Sequence, residues 1–333
     1  MIKTLIVDDS PLVRSIIRDF LESDGSFEII GEAENGRDGV NKARELDPDL
    51  ITMDIEMPVM NGLEAIVEIK KFCPCGIVVI STHDTAKMAY DATVKGAHDF
   101  FAKDILTSRT NEQKLKEIID TLKQIAGIKN RGTARQARKK SSAAPRKIKC
   151  VVIAASTGGP MALCQLCPAL PENFSAPILL VQHNTSGFDR GFVQWLDEYT
   201  QLQVHLAEKG TLPAGGHVYV APTDKHLVID STGINFDDGE PLNNQKPAAD
   251  LLFKSAAALY GDSLVSVVLT GMGCDGAEGT RSVKQAGGIT IAQDESSSMI
   301  YGMPQAAVET GCVDIVLPLN EIAQKLISLT NGE

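Results

Sequence analysis

The stretch Lys149-Cys-Val-Val-Ile-Ala-Ala-Ser-Thr-Gly-Gly-Pro160 decides how the larger part of the chain is built. A short, largely β-branched apolar run ends in a serine, and two glycines and a proline follow. Apolar residues then recur at Met161, Leu163 and Leu166, a helical spacing, so the stretch predicts a buried parallel strand running into a helix. Pro160 suits the first turn of that helix, where its missing N–H costs nothing. Ser156 is therefore expected at the carboxyl end of a strand, facing a helix N-terminus. A hydroxyl and open backbone N–H groups meet there, as acyl transfer requires, because fixed N–H dipoles take up charge developing on a carbonyl oxygen. Two plainer readings fit the same turn: a phosphate or nucleotide cradle, and a tight connection with no chemistry. The Gly-x-Ser-x-Gly elbow of the α/β-hydrolases is not met, because Ala154 stands at its first glycine.

The remaining composition is that of an ordinary soluble protein, 43% hydrophobic and 23% charged over 333 residues. That length sets an expectation of about two domains. Met1-Ile-Lys-Thr-Leu-Ile-Val runs straight into Asp8-Asp9, so no signal-peptide core is expected. No apolar run approaches the roughly 18 residues of a membrane span. The expectation is a cytoplasmic protein with reduced thiols and no membrane insertion. Cys164-x-x-Cys167 and Cys73-x-Cys75 have no second ligand pair nearby and read as buried or incidental thiols. The net charge of −11 argues against a general nucleic-acid binder. Residues 129–149 hold nine Lys or Arg and no acid; removing those nine charges from −11 leaves −20 on the rest.

Residues 1–126 alternate strands and helices. Thr4–Val7, Phe27–Ile30, Leu50–Met53, Ile77–Ile80 and Ala97–Phe101 read as strands. Pro11–Leu21, Gly36–Leu46, a run from Leu63, Thr85–Lys95 and Glu112–Ile125 read as helices. Five such units imply a doubly wound parallel sheet, whose function gathers at the carboxyl ends of its strands. Asp8 and Asp9 follow the first strand, Asp54 the third, Ser81 ends the fourth and Lys103 follows the fifth. Carboxylates brought together repel one another and call for a hard dication, for which Mg²⁺ is suited. With the hydroxyl and the lysine they would stabilise a phosphoryl group on one carboxylate.

Val7-Asp-Asp-Ser-Pro, Met53-Asp-Ile-Glu-Met-Pro-Val-Met-Asn-Gly62, Ile80-Ser81 and Gly96-Ala-His-Asp-Phe-Phe-Ala-Lys103 resemble the receiver domain of two-component response regulators. The resemblance implies that a partner histidine kinase phosphorylates Asp54. It implies Mg²⁺ on Asp9, Asp54 and the Glu56 carbonyl with Asp8 assisting, and a switch carried by Ser81, Lys103 and Phe100. Asp104 departs from the proline common after the lysine and bears on the loop geometry there.

Residues 127–147 mix glycine, serine, alanine and proline with the basic run and read as a solvated linker. From residue 148 to about 330 the alternating pattern resumes. Pro177–His183 is a buried strand, Gly187–Tyr199 an amphipathic helix and Pro247–Tyr260 a helix. Val204–Ala207, His217–Ala221, His226–Ile229, Leu264–Leu269, Gly288–Ala292 and Val313–Leu317 are further strands. A second parallel-sheet, Rossmann-like domain is expected.

A serine nucleophile needs a base, and the base an orienting group. His83 and His98 lie in the first domain. His205, His217 and His226 sit in or beside short strands, where a structural role is expected. His183 alone ends a long apolar strand, at the sheet edge that carries Ser156. For the acid, Asp275 and Asp294 both follow apolar strands, Asp250 lies in a predicted helix, and position alone leaves Asp275 and Asp294 open.

Ala155-Ser-Thr-Gly-Gly159, Val181-Gln-His183, Gly216-His-Val-Tyr-Val-Ala-Pro222, Leu269-Thr-Gly-Met-Gly-Cys-Asp-Gly-Ala277, Gln293-Asp-Glu and Tyr301-Gly-Met-Pro304 resemble the chemotaxis protein-glutamate methylesterases. The resemblance implies a triad of Ser156, His183 and Asp275, with oxyanion donors at the N–H of Met272 and near Thr157. It implies demethylation of glutamate methyl esters on chemoreceptor cytoplasmic domains, deamidation of receptor glutamines, no cofactor for the ester reaction, and an unphosphorylated receiver that covers the site. Asn184-Thr185 in place of Met-Pro, and Ala154 in place of glycine, depart from that pattern beside the site. Two rivals from other classes are a receiver driving a nucleic-acid-binding domain, which the acidic balance and the lack of a helix-turn-helix pattern disfavour, and a nucleotide-binding second half.

Overall fold

The third and fourth strands of the chain are buried at every position, as a parallel sheet covered on both faces demands. The computed structural model describes residues 1–82, 86–107, 112–130 and 147–332. They divide into two units, Met1–Gly132 and Thr133–Glu333. In the first, β1 (Ile2–Val7), β2 (Phe27–Ala33), β3 (Leu50–Met53), β4 (Gly76–Ser81) and β5 (Asp99–Ala102) pair in parallel in the order β2-β1-β3-β4-β5. The helices are α1 (Pro11–Glu22), α2 (Gly36–Leu46), α3 (Gly62–Lys70), α4 (Ala86–Lys95), α5 (Lys103–Thr107) and α6 (Glu112–Ala126). Helix starts follow from local chemistry. The Ser10 hydroxyl accepts the Val13 N–H ahead of Pro11, and Asn61 and Glu64 form a reciprocal capping box on α3.

The five expected strands are present, with ends shifted by up to three residues. Helix α5, whose first residue is Lys103, is too short for periodicity to reveal. Gly127–Asn130, inside the stretch expected as linker, form a 3₁₀ turn directly after α6. Residues 131–146 of that linker, together with His83 and Thr85, lie outside the described residues.

In the second unit, β6 (Cys150–Ala155), β7 (Ile178–Gln182), β8 (Gln203–Leu206) and β9 (His217–Val220) come first. The hairpin β10 (His226–Asp230) and β11 (Gly233–Asp237) stands apart from the main sheet and is antiparallel. Then follow β12 (Leu264–Val268), β13 (Ile289–Gln293) and β14 (Ile315–Leu317). The seven-stranded sheet is parallel throughout, in the order β14-β13-β12-β6-β7-β9-β8. Helices α7 (Gly159–Leu166), α8 (Asp189–Tyr199), α9 (Ala249–Tyr260), α10 (Ala277–Gln285), α11 (Met303–Glu309) and α12 (Leu319–Asn331) accompany it. The elements β11, α10, α11 and α12 have no counterpart in the sequence reading.

Strand β6 is central and wholly buried. Val152, Leu179, Leu252, Phe253, Val268 and Met303 belong to one core cluster around it, each large aliphatic side chain contributing about 1.5–3 kcal/mol by leaving water. The strand order reverses at β6, with β7 on one side and β12 on the other, and ligand sites in such sheets open at that point. Register completes the arrangement. Ala155 pairs with Gln182 and Ala154 with Val268, so Ser156, His183 and the Thr270 turn leave the sheet side by side.

Candidate active site

Ser156 is the first residue past β6. Its N–H donates to the Thr270 carbonyl at 3.1 Å, and its own carbonyl accepts the Gly159 N–H at 2.7 Å. This turn carries the chain into α7, with Gly158 at the N-cap and Pro160 in the first turn. Among the described residues the N–H groups of Thr157 and Gly158 form no hydrogen bond. They stand at the positive end of a helix dipole. Gly271 packs directly on the serine, since a Cβ there would lie 2.7 Å from the Ser156 Cβ. Met272 follows Gly271 in the same turn.

His183 is the first residue past β7, and its N–H donates to the Ala155 carbonyl at 2.9 Å. Its side chain is 7% exposed. Nε2 lies 2.8 Å from Asp275 Oδ2; a carboxylate only accepts, so in the neutral imidazole Nε2 carries the hydrogen and Nδ1 the lone pair. Nδ1 is buried with no partner among the described residues. Asp275 Oδ2 also accepts the Ala249 N–H at 2.7 Å, and Oδ1 accepts those of Asp250 and Gly276 at 3.0 Å each. Burial pushes this carboxyl up, but the hydrogen bond and charge of His183 and the N–H groups of Ala249 and Asp250 prevail. It is held below the usual carboxylate range.

Asp294 is elsewhere engaged. Its carboxylate accepts the Ser297 N–H and hydroxyl and the Ser296 hydroxyl, holding the loop after β13. The other described histidines are satisfied structurally. His226 accepts the Ala248 N–H at Nδ1 and donates from Nε2 to the Glu240 carbonyl. His205 and His217 bond each other at 2.9 Å and stack, and His98 accepts the Ile77 N–H. Thus, of the two acids that position alone leaves open, the structure brings Asp275 to His183 and keeps Asp294 away.

Two glutamines that carry no role in the sequence reading hold the strand ends. Gln182, 2% exposed, donates from Nε2 to the carbonyls of both Ser156 (3.1 Å) and His183 (3.0 Å). Gln293 accepts the Thr270 N–H at 2.8 Å and donates to the Ser297 carbonyl at 2.7 Å. Each is the last residue of a buried parallel strand, where an amide has no partner except the turns beside it. That position is the one signal available in the sequence.

In the first unit, Asp8, Asp9 and Asp54 bring carboxylate oxygens within 4.8 Å of one another, the one such group of metal-binding side chains among the described residues. Lys103 Nζ lies 2.9 Å from Asp8 Oδ2 and 2.7 Å from Asp54 Oδ2. Burial first, and then the charge of Asp8, push the Asp54 carboxyl up to about 6 against the pull of Lys103. Burial works against the Lys103 charge, but bonds to Asp54 and Asp8 prevail and hold its pKa above the usual lysine value. Hard oxygen donors in carboxylate excess suit Mg²⁺. Glu56 has an exposed side chain in the following loop. Ser81 is buried at the end of β4, and Phe100 is buried on β5 with its ring edge-to-face on Tyr90 at 4.7 Å.

None of the seven cysteines is in a disulfide; Cys274 alone is exposed, and Cys73, Cys75, Cys150 and Cys167 are buried. Burial first, then the charges of Asp250, Asp275 and Glu278, push the Cys274 thiol up. No described helix is long and apolar enough to cross a membrane.

A parallel α/β unit with a serine, a buried imidazole and a fixed carboxylate at one sheet edge, preceded by an acid-pocket unit, defines a class: a receiver joined to a serine hydrolase. Residues 4–119 match the response regulator receiver domain model and residues 151–326 the CheB methylesterase model. The chain is 40% identical to a protein-glutamate methylesterase/protein-glutamine glutaminase of Pyrococcus abyssi over 98% of its own length and 93% of that protein. It is 37% identical to one of Thermotoga maritima over 99% and 98%. The crystal structure of the Thermotoga maritima CheB methylesterase catalytic domain covers 55% of this chain and 100% of its own, with TM-score 0.53 and 41% identity. The chain therefore belongs to the CheB methylesterase family and carries a response regulator receiver domain.

Proposed function

We propose that this protein hydrolyses glutamate γ-methyl esters on the cytoplasmic domains of chemoreceptors, releasing methanol, deamidates receptor glutamines by the same route, and serves chemotactic adaptation under phosphorylation control. One observation carries the reading: Asp275 binds His183 through Nε2, which leaves Nδ1, without a partner among the described residues, to act as the base for Ser156, the residue that leaves the neighbouring strand in register with it. Ser156 Oγ attacks the ester carbonyl as Nδ1 takes its proton. The Asp275 carboxylate keeps the tautomer and supports the imidazolium. The N–H groups of Met272 and Thr157 receive the developing oxyanion. The imidazolium returns the proton to departing methanol, and water, deprotonated by the same nitrogen, releases the glutamate. An amide follows the same course with a poorer leaving group.

In the receiver, Asp54 is the phosphoacceptor for a chemotaxis histidine kinase. Asp8, Asp9, Asp54 and the Glu56 carbonyl would hold Mg²⁺, which when bound supplies positive charge for the incoming phosphoryl oxygens. Lys103 and Ser81 then draw toward the phosphoryl group, and the buried Phe100 on β5 responds. The working units are taken as residues 1–126 and 148–330, joined by 127–147, in the cytoplasm.

Methanol release from methylated receptor membranes, with and without a small phosphodonor, tests the reading. Release that depends on Ser156 and rises with phosphodonor is the expected result. Turnover of the membranes by Ser156→Ala at the parent rate would refute it.

A further inference from the structure

Two carboxylates are exchanged between neighbouring helix starts. Asp275, just ahead of α10, accepts the N–H groups of Ala249 and Asp250 at the start of α9. Asp250, in the first turn of α9, reaches back: its Oδ1 accepts the Gly279 N–H in the first turn of α10 at 2.6 Å, and its Oδ2 accepts from Asn243 Nδ2 at 2.9 Å. Neither α9 nor α10 has a side-chain cap from its own N-cap residue, Ala248 or Gly276. Each helix start is thus satisfied by the other's acid. Both carboxylates are almost wholly buried. The helices touch closely, since a Cβ on Gly279 would lie 3.1 Å from the Asp250 Cα. Any slip of α9 moves the donors under Asp275, and with them the oxygen that holds His183 Nε2.

We propose that Asp250 is a positioning residue of the hydrolytic site, which locks the start of α9 to α10 and so sets Asp275 and the His183 ring. The inference rests on Ser156, His183 and Asp275 being the hydrolytic group. Asp250 also brings charge. Burial pushes its carboxyl up to about 6, the Gly279 N–H opposes this, and the charge of Asp275 adds to it. Near neutral pH it is ionised behind Asp275. The other titratable groups around the pair are His183, Cys274 and Glu278 on the segment into α10, and His226 on β10, which accepts the Ala248 N–H.

The test uses the full-length chain on methylated receptor membranes, reading kcat and KM, with a thermal melt to establish folding. Asp250→Ala removes the bracing; kcat should fall about 10–100-fold, as small misplacements of reacting groups do, with KM within about threefold. Asp250→Asn keeps an oxygen for the Gly279 N–H and should recover most of kcat. A folded Asp250→Ala protein with parental kcat, or one whose loss lies in KM rather than kcat, overturns the proposal. Should Asp250→Ala not fold, Asp250→Asn decides, a folded variant with kcat down about tenfold or more overturning it. Asp275→Asn separates the two levels. Full turnover by that variant overturns the hydrolytic reading itself; an inactive Asp275→Asn beside parental Asp250 variants overturns this inference alone.

Discussion

Asp54 and Asp275 occupy equivalent places, each buried at the carboxyl edge of a parallel sheet, yet their surroundings drive them in opposite directions. Asp275 collects three backbone N–H groups and an imidazole and is held below the usual carboxylate range. Asp54 has one backbone N–H, that of Ile55 at 2.8 Å, shares Lys103 with Asp8, and is pushed up to about 6. Saturation with donors makes a fixed anion that orients a neighbour. Partial satisfaction beside a like charge makes a carboxylate whose electrons remain available for a bond. On the proposed reading, the same side chain on the same kind of sheet orients a base in one unit and accepts a phosphoryl group in the other.

The comparison can be broken most severely at the nucleophile. Ser156→Ala is expected to abolish methanol release, a loss on the order of 10⁶ if the serine proteases are a guide, while the melt stays near that of the parent. Asp275→Asn should cost on the order of 10⁴ in kcat, because the amide no longer enforces the Nε2–H tautomer, and Asp294→Asn should leave turnover within about threefold of the parent, as a loop contact would. Equal losses in the two would mean that the donor count around Asp275 does not mark the orienting acid.

At Asp54 the effect is smaller and appears in stability. Its folded pKa, about 6, lies above the ordinary value of 3.8, so the folded state holds this proton more tightly than the unfolded chain. The associated stability is fully present below about pH 4 and is lost as pH rises through 6. The full shift corresponds to about 3 kcal/mol. Calorimetry of the full chain in excess chelator should therefore show Asp54→Asn flattening the loss between pH 4 and 7, and Mg²⁺ restoring stability to the parent alone. An unchanged slope in the variant would show that the acid pocket carries no such charge cost. The same variant should take no label from a small phosphodonor.

The smallest effect concerns how each site shapes its backbone. The turns at Ser156 and Asp275 use glycine where φ is positive, at Gly158 and Gly276. The loop after Asp54 instead places Val59 at φ 68°, 85% exposed, where a β-branched residue is strained. Val59→Gly should raise the unfolding free energy by no more than about 1 kcal/mol, strain relief being partly offset by the freer unfolded chain. A melting temperature that drops in that variant would mean the valine makes contacts that outweigh its strain.

Ser156, His183, Asp54 and Lys103 were legible because each ends or follows an apolar run, and a parallel sheet delivers such residues to one edge. Choosing Asp275 over Asp294 from residues alone was impossible. Both follow apolar strands, and the deciding donors, the N–H groups of Ala249 and Asp250, lie about 25 residues upstream in sequence. The family resemblance favoured Asp275 without supplying that reason. Gln182 and Gln293 stayed silent because nothing in a side chain's identity tells which carbonyls it will meet. Helix α10 was missed because its sequence, Ala277-Glu-Gly-Thr-Arg-Ser-Val-Lys-Gln285, offers Val283 as its one large apolar residue. Its start depends on an acid from another helix rather than on a local cap.

The exposure of Cys274 gives the molecule a chemical handle of its own. Among seven thiols it is the exposed one, and it sits one residue from Asp275. A maleimide fluorophore or nitroxide applied in limiting amount will attach there ahead of the buried thiols, with no residue replaced. Burial first, and then the surrounding carboxylates, push this thiol up and make the coupling slow at neutral pH and faster toward alkaline pH, where the thiolate forms. The attached probe then reports on the Asp275 turn from inside the native sequence, so that events at that turn can be followed as changes in fluorescence or spin mobility rather than as methanol.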